Sequence, residues 1–118
     1  MATDLEMMRA FAARRADAAA ADARRHVDAL RAALPALVAA LRALGATRVV
    51  LFGSLASGRA GAASDIDLAV EGLPSSAYLD ALGALESVLP TPVDLVRLED
   101  ASTALAARIA RDGVVLLG

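Results

Sequence analysis

The sequence predicts an α/β fold (α+β in the broader sense), a small mixed β-sheet backed by helices. Three observations point there. Short apolar runs rich in β-branched residues, at Thr47 to Phe52, Asp65 to Val70 and Pro92 to Leu98, have the length and composition of strands. Longer stretches around them repeat apolar residues three and four apart, which is the helical period. Glycine or proline marks most junctions, at Gly45, Gly53, Gly72, Pro90 and Gly113. A chain of 118 residues makes one domain with a single core.

From about Asp4 to Leu44 the chain reads as helix, dominated by Ala, Leu, Arg and Met. Thr3 with Glu6 fits a capping box at its start. Val27, Leu30, Leu34, Leu37, Leu41 and Leu44 form an apolar seam, which continues backwards through Ala23, Ala20, Ala16 and Ala13. Pro35 interrupts the pattern without a preceding N-cap residue, so a kink is expected rather than a break. Leu37, Val38, Leu41 and Leu44 are the candidates for packing on the sheet. The expected division is an N-terminal Ala-rich helical arm, residues 1–36, and the domain proper, residues 37–118. Alanine permits close helix approach but buries little area, so the arm either lies along its own domain or serves docking or self-association.

The next stretch is the informative one. Val49 to Phe52 reads as a strand that stops at Gly53-Ser54, where a short helix begins; a Gly-rich loop follows, and Asp65-Ile66-Asp67 opens a second strand. Alternate residues of a strand share a face, so Asp65 and Asp67 point the same way, about 6–7 Å apart. Two such carboxylates repel unless a cation sits between them, and oxygen donors suit Mg²⁺. Gly53 allows backbone N–H groups close to an anion, and the Ser54 hydroxyl adds a donor. A phosphate cradle facing two acids describes a metal-nucleotide site. Arg59 in the loop, with Arg48 as a second nearby cation, is the candidate phosphate partner.

Beyond Gly72, Ser75 or Ser76 is expected to cap a helix from Tyr78 to Leu89 with Leu79, Leu82, Leu85 and Val88 inward. Val93-Asp94-Leu95-Val96 then sets another single acid in a β-type run, where a buried unpaired charge would cost several kcal/mol. A helix from about Thr103 to Arg111 and a short strand, Val114 to Leu117, end the sequence. His26 reads as a surface or packing residue away from the acids.

Composition excludes several classes. Without cysteine there is no disulfide and no thiolate metal site. A net charge of −2 and a pI near 5.2 give no strong nucleic-acid surface. No apolar run reaches membrane-spanning length and no signal pattern opens the chain, so a cytoplasmic location is expected.

Gly53-Ser54, ten residues, then Asp65-x-Asp67 resembles the signature of the minimal nucleotidyltransferases in the DNA polymerase β-like superfamily. Four fixed residues at that spacing would occur by chance in about one chain in a thousand. The resemblance spans about Leu37 to Leu117 and implies a polymerase-β-like palm. It implies a third carboxylate on the neighbouring strand, which Asp94 matches, and two Mg²⁺ ions held by Asp65, Asp67 and Asp94. It further implies nucleotide contacts from Gly53, Ser54, Gly58, Arg59 and Ser64. Many family members carry arginines where this chain has Leu55 and Ser57, with Arg59 as compensation. The implied reaction moves a nucleoside monophosphate, AMP from ATP, to a hydroxyl. The favoured acceptor is a tyrosine on a HEPN-type toxin, making this chain the antitoxin. The alternatives are a small-molecule nucleotidyltransferase working as a homo-oligomer, and an antitoxin that only binds.

Overall fold

The computed structural model describes residues 1–118. Its first helix, α1 (Asp4–Ala43), is 40 residues long. At 1.5 Å per residue it spans about 60 Å, which accounts for most of the molecule's 67 Å long axis. The capping box forms as the sequence predicts: the Glu6 N–H donates to Thr3 Oγ1 (3.1 Å) and the Thr3 N–H to Glu6 Oε2 (3.3 Å). Pro35 lies inside α1 without breaking it.

The two ends of α1 differ in what they touch. Residues 1 to 20 are all exposed, so the arm stands clear of its own domain, with Leu5, Met8 and Phe11 more than half accessible. From Val27 onward the same helix joins the core, and Leu30, Leu37 and Leu41 are completely buried. Reach decides the difference: the helix outruns the sheet and the helix it packs on, so nothing covers its first turns, large apolar side chains included.

The sheet has the order β3-β2-β1-β4, with β1 (Arg48–Phe52), β2 (Ile66–Glu71), β3 (Val93–Arg97) and β4 (Val114–Leu117). β1 runs antiparallel to β2 and β4, whereas β2 and β3 are parallel, so the sheet is mixed. The parallel pair needs a crossover, supplied by α3 (Tyr78–Val88). A single-turn α2 (Gly53–Ser57) follows β1, and α4 (Thr103–Asp112) precedes β4.

Strand alternation sorts the side chains into two layers. Val49, Leu51, Ile66, Leu68, Val70 and Leu95 face α1 and α3 in the main core. Val50, Phe52 and Ala69 face the opposite side, where Ile109 of α4 covers them. Helices therefore lie on both sheet faces, and α4 shares the face that carries the acids.

Two local expectations change. The inward side of α3 is Ala81, Leu82 and Leu85, so Ala81 joins the core while Leu79, 78% accessible, and Val88 are exposed. Neither Ser75 nor Ser76 caps α3; they sit in a 3-10 turn, Ser75–Ala77, that leads directly into it.

The burial contrast along α1 gives a test by denaturant unfolding. Leu30→Ala should lower stability by about 2–5 kcal/mol, whereas Phe11→Ala should stay within about 0.5 kcal/mol of the native chain. Equal losses would mean that the arm packs on the domain.

Candidate active site

β2 and β3 set Asp67 and Asp94 directly opposite each other in register. Both point to the face away from the main core, because their neighbours Ile66, Leu68, Val93 and Leu95 point into it. The Asp67 carboxyl is held above its ordinary range, first by burial, then by the Asp94 charge and a hydrogen bond between the two, and then by Asp65. Arg108 of α4 pulls the other way. Asp65 precedes β2 and is exposed, but it is near enough for its charge to act on Asp67.

The close approach of the β1–α2 turn to these acids depends on Gly53. Its φ is +73°, and a Cβ there would collide with the Asp67 carboxylate. Glycine is thus required twice over, by backbone conformation and by space. Ser54 begins the loop and Ser64 ends it. Their hydroxyls are 3.2 Å apart, and Ser64 Oγ also accepts from the Gly61 N–H at 2.8 Å.

A cleft of about 640 Å³ opens beside this turn, lined by Phe52, Gly53, Ser54, Ser57, Arg59, Arg108, Ile109 and Asp112. Arg59 donates through Nε to Ser57 Oγ at 3.2 Å, and neither Arg59 nor Arg108 is in an ion pair. A second hollow, about 430 Å³, holds Asp67 and Asp94 and shares Phe52 with the first. The first hollow thus carries the hydroxyls and the two arginines together with Asp112, and the second carries Asp67 and Asp94. β3 is an edge strand, and Tyr78 of α3 steadies it by donating to the Leu95 carbonyl at 2.6 Å.

Not every expected residue joins the site. Gly53, Ser54 and Arg59 line the cleft, and Ser64 closes its loop. Gly58 does not line it; it ends α2 in the left-handed conformation, φ +78°. Arg48 lies at the far end of β1 from Gly53, against Gly118, and is no neighbour of the phosphate side. Leu55 is completely buried and belongs to the core. His26 is not remote from the acids' loop, since its ring reaches the Ser64 backbone. Arg108 was missed; its signal is a position one residue before the buried Ile109, which becomes informative once α4 is placed on the acid face.

The donor set fits Mg²⁺ in chemistry: oxygen-only ligands, with one carboxyl pair forced together by strand register. The three acids do not yet stand as a three-ligand cluster, since no such group of His, Cys, Asp or Glu is close enough to hold a metal together.

A family model described as "Polymerase beta, Nucleotidyltransferase" matches residues 44–118. The chain therefore belongs to the polymerase β nucleotidyltransferase family. Its structural neighbours narrow this to the minimal nucleotidyltransferases. A chain assigned as a minimal nucleotidyltransferase is 31% identical with a TM-score of 0.65, over 75% of this chain and 93% of that one. A toxin–antitoxin structure with AMP-PNP is 34% identical, TM-score 0.64, over 71% and 72%. A chain in the structure of a tri-AMPylated Shewanella oneidensis HEPN toxin in complex with MNT antitoxin is 30% identical, TM-score 0.60, over 75% and 72%. No curated protein matches. No helix is long and apolar enough to cross a membrane.

The raised Asp67 pKa carries a signed consequence. Folding favours the protonated carboxyl, so Asp67 contributes stability at low pH that is lost as pH rises through its folded-state value. Asp67→Asn should therefore raise Tm by a few degrees near pH 7, and the gain should shrink to nothing below the ordinary carboxylate range. A Tm difference of the same size at pH 3 and pH 7, in thermal scans of both proteins, would contradict this origin.

Proposed function

We propose that this chain is a Mg²⁺-dependent nucleotidyltransferase that moves AMP from ATP to a tyrosine hydroxyl of a HEPN-type partner, and so acts as an antitoxin. The observation that carries it is the opposed pair Asp67 and Asp94, one side chain away from a cleft bearing Ser54, Arg59 and Arg108. Support for the choice of nucleotide and partner comes from the similar toxin–antitoxin structure with AMP-PNP and from the complex of MNT antitoxin with a tri-AMPylated HEPN toxin.

In this reading Ser54 and the backbone N–H groups of the β1–α2 turn hold the β- and γ-phosphates. Arg59 and Arg108 offset their charge, taking the place of the loop arginines that Leu55 and Ser57 do not supply. Asp65, Asp67 and Asp94 would hold two Mg²⁺ ions, which when bound neutralise the triphosphate and make the acceptor hydroxyl easier to deprotonate. Asp94, on the open edge strand, faces the side from which an acceptor arrives. The acceptor oxygen forms a bond to the α-phosphorus, the bond to the β-phosphate oxygen breaks, and pyrophosphate leaves. The hydroxyl proton passes to solvent past Asp94. The chain's share of the rate is orientation and charge placement.

Intact-mass spectrometry of the protein mixed with a HEPN-type partner, ATP and Mg²⁺ tests this. The partner should gain mass in steps of one AMP, and Asp67→Asn should lower the rate by about a thousandfold or more. Arg108→Ala should raise the KM for ATP about tenfold with a smaller change in kcat. An unmodified partner beside efficient labelling of a small hydroxylated compound would move the assignment to a small-molecule transferase.

A further inference from the structure

The loop between Ser54 and Ser64 carries the phosphate-side residues and delivers the chain to Asp65. Beyond the one turn of α2 it has no regular structure. Its start is tied internally by Ser57 Oγ and the Arg59 N–H, both donating to the Ser54 carbonyl, and its end by the Ser54–Ser64 hydroxyl contact, the Gly61 N–H to Ser64 Oγ bond and the Ser64 N–H to Gly61 carbonyl bond at 3.1 Å. Two more ties come from outside, both from α1.

The first is His26, whose Nε2 lies 2.8 Å from the Ser64 carbonyl oxygen. A carbonyl only accepts, so this ring nitrogen carries the proton. The second is Arg31, whose Nη2 donates to the Leu55 carbonyl at 3.0 Å. Leu55 lies in the last turn of α2, where carbonyls lack intrahelical donors. The N–H groups of Gly58 and Arg59 both go to the Ser54 carbonyl instead. Arg31 therefore fills a vacancy that the backbone leaves open. The two ties fall at opposite ends of the loop, one residue after Ser54 and one before Asp65.

We infer that His26 and Arg31 are positioning residues: α1 grips the site loop at both ends, holding Ser54 at the phosphate side and Asp65 beside Asp67. This rests on the nucleotidyltransferase reading above. Neither side chain lines either hollow, so both act through the backbone they hold. The buried seam of Leu30, Leu37 and Leu41 fixes α1 on the domain, which gives the grip a rigid base.

Hydrogen–deuterium exchange on the full chain, alongside Tm and steady-state kinetics, tests it. In His26→Ala, exchange at Gly61 to Asp65 should quicken about tenfold while β1 and β2 keep native rates. His26→Gln, whose side-chain amide also donates, should restore most of the protection. Arg31→Ala should quicken exchange at Gly58 and Arg59 instead. In transfer assays His26→Ala should lower kcat about tenfold with little change in Tm. Native exchange at Gly61 to Asp65 in His26→Ala overturns the inference, and so does a speed-up spread evenly over the sheet. The two readings fail separately: a wild-type chain that transfers to no acceptor removes the proposed function, while the exchange pattern still decides the grip.

Discussion

Asp67 and Asp94 repel, yet the register of two parallel strands holds them opposite each other. The site depends on that arrangement being tolerated. What tolerates it is the apolar layer on the reverse of the same strands, where Ile66, Leu68 and Leu95 are locked under α1 and α3. Shifting β3 by one residue to relieve the acids would turn Leu95 outward and Asp94 into the core, at a cost of several kcal/mol. Burial on one face thus enforces an unfavourable charge pair on the other. Burial first, and then the Asp94 charge, raise the Asp67 pKa, and a cation bound beside the pair would offset both.

The rest of the site follows from chain economy around the pair. Gly53 lets the β1–α2 turn pass against the Asp67 carboxylate, which brings Ser54 and the cleft within one side chain of the acids. α4 closes the same face with Ile109 and brings Arg108 toward the cleft in doing so. The cationic side of the site is therefore assembled from two distant segments, the loop at Arg59 and the helix at Arg108. α1 serves the site from behind, through its core seam and through His26 and Arg31.

Much of this was legible in the sequence because it is local or strictly periodic. The spacing from Gly53-Ser54 to Asp65-Ile66-Asp67 and the lone acid at Asp94 mark polar groups in β-type runs, and period-2 alternation then fixes the face they share. What stayed illegible depends on how elements lie against each other. The face chosen by α4, and with it Arg108, is a packing outcome that its own amphipathic pattern does not specify. In α3 the buried face runs through Ala81, Leu82 and Leu85 and leaves Leu79 outside it, a choice set by how the helix lies against its neighbours. Arg48 looked near the loop in sequence, but a strand's length separates it from Gly53. His26 has no sequence signal for its role, since its partner is a backbone carbonyl 38 positions away.

In the proposed function, strand register makes Asp67 and Asp94 a cation-binding pair. Carboxyl-carbon NMR of Asp67, titrated with pH with and without Mg²⁺, tests it most directly. The account predicts a titration above the ordinary carboxylate range in metal-free protein, moving down when Mg²⁺ and a nonhydrolysable ATP analogue are added. An Asp67 that titrates in the ordinary range and does not respond to Mg²⁺ with nucleotide would contradict it.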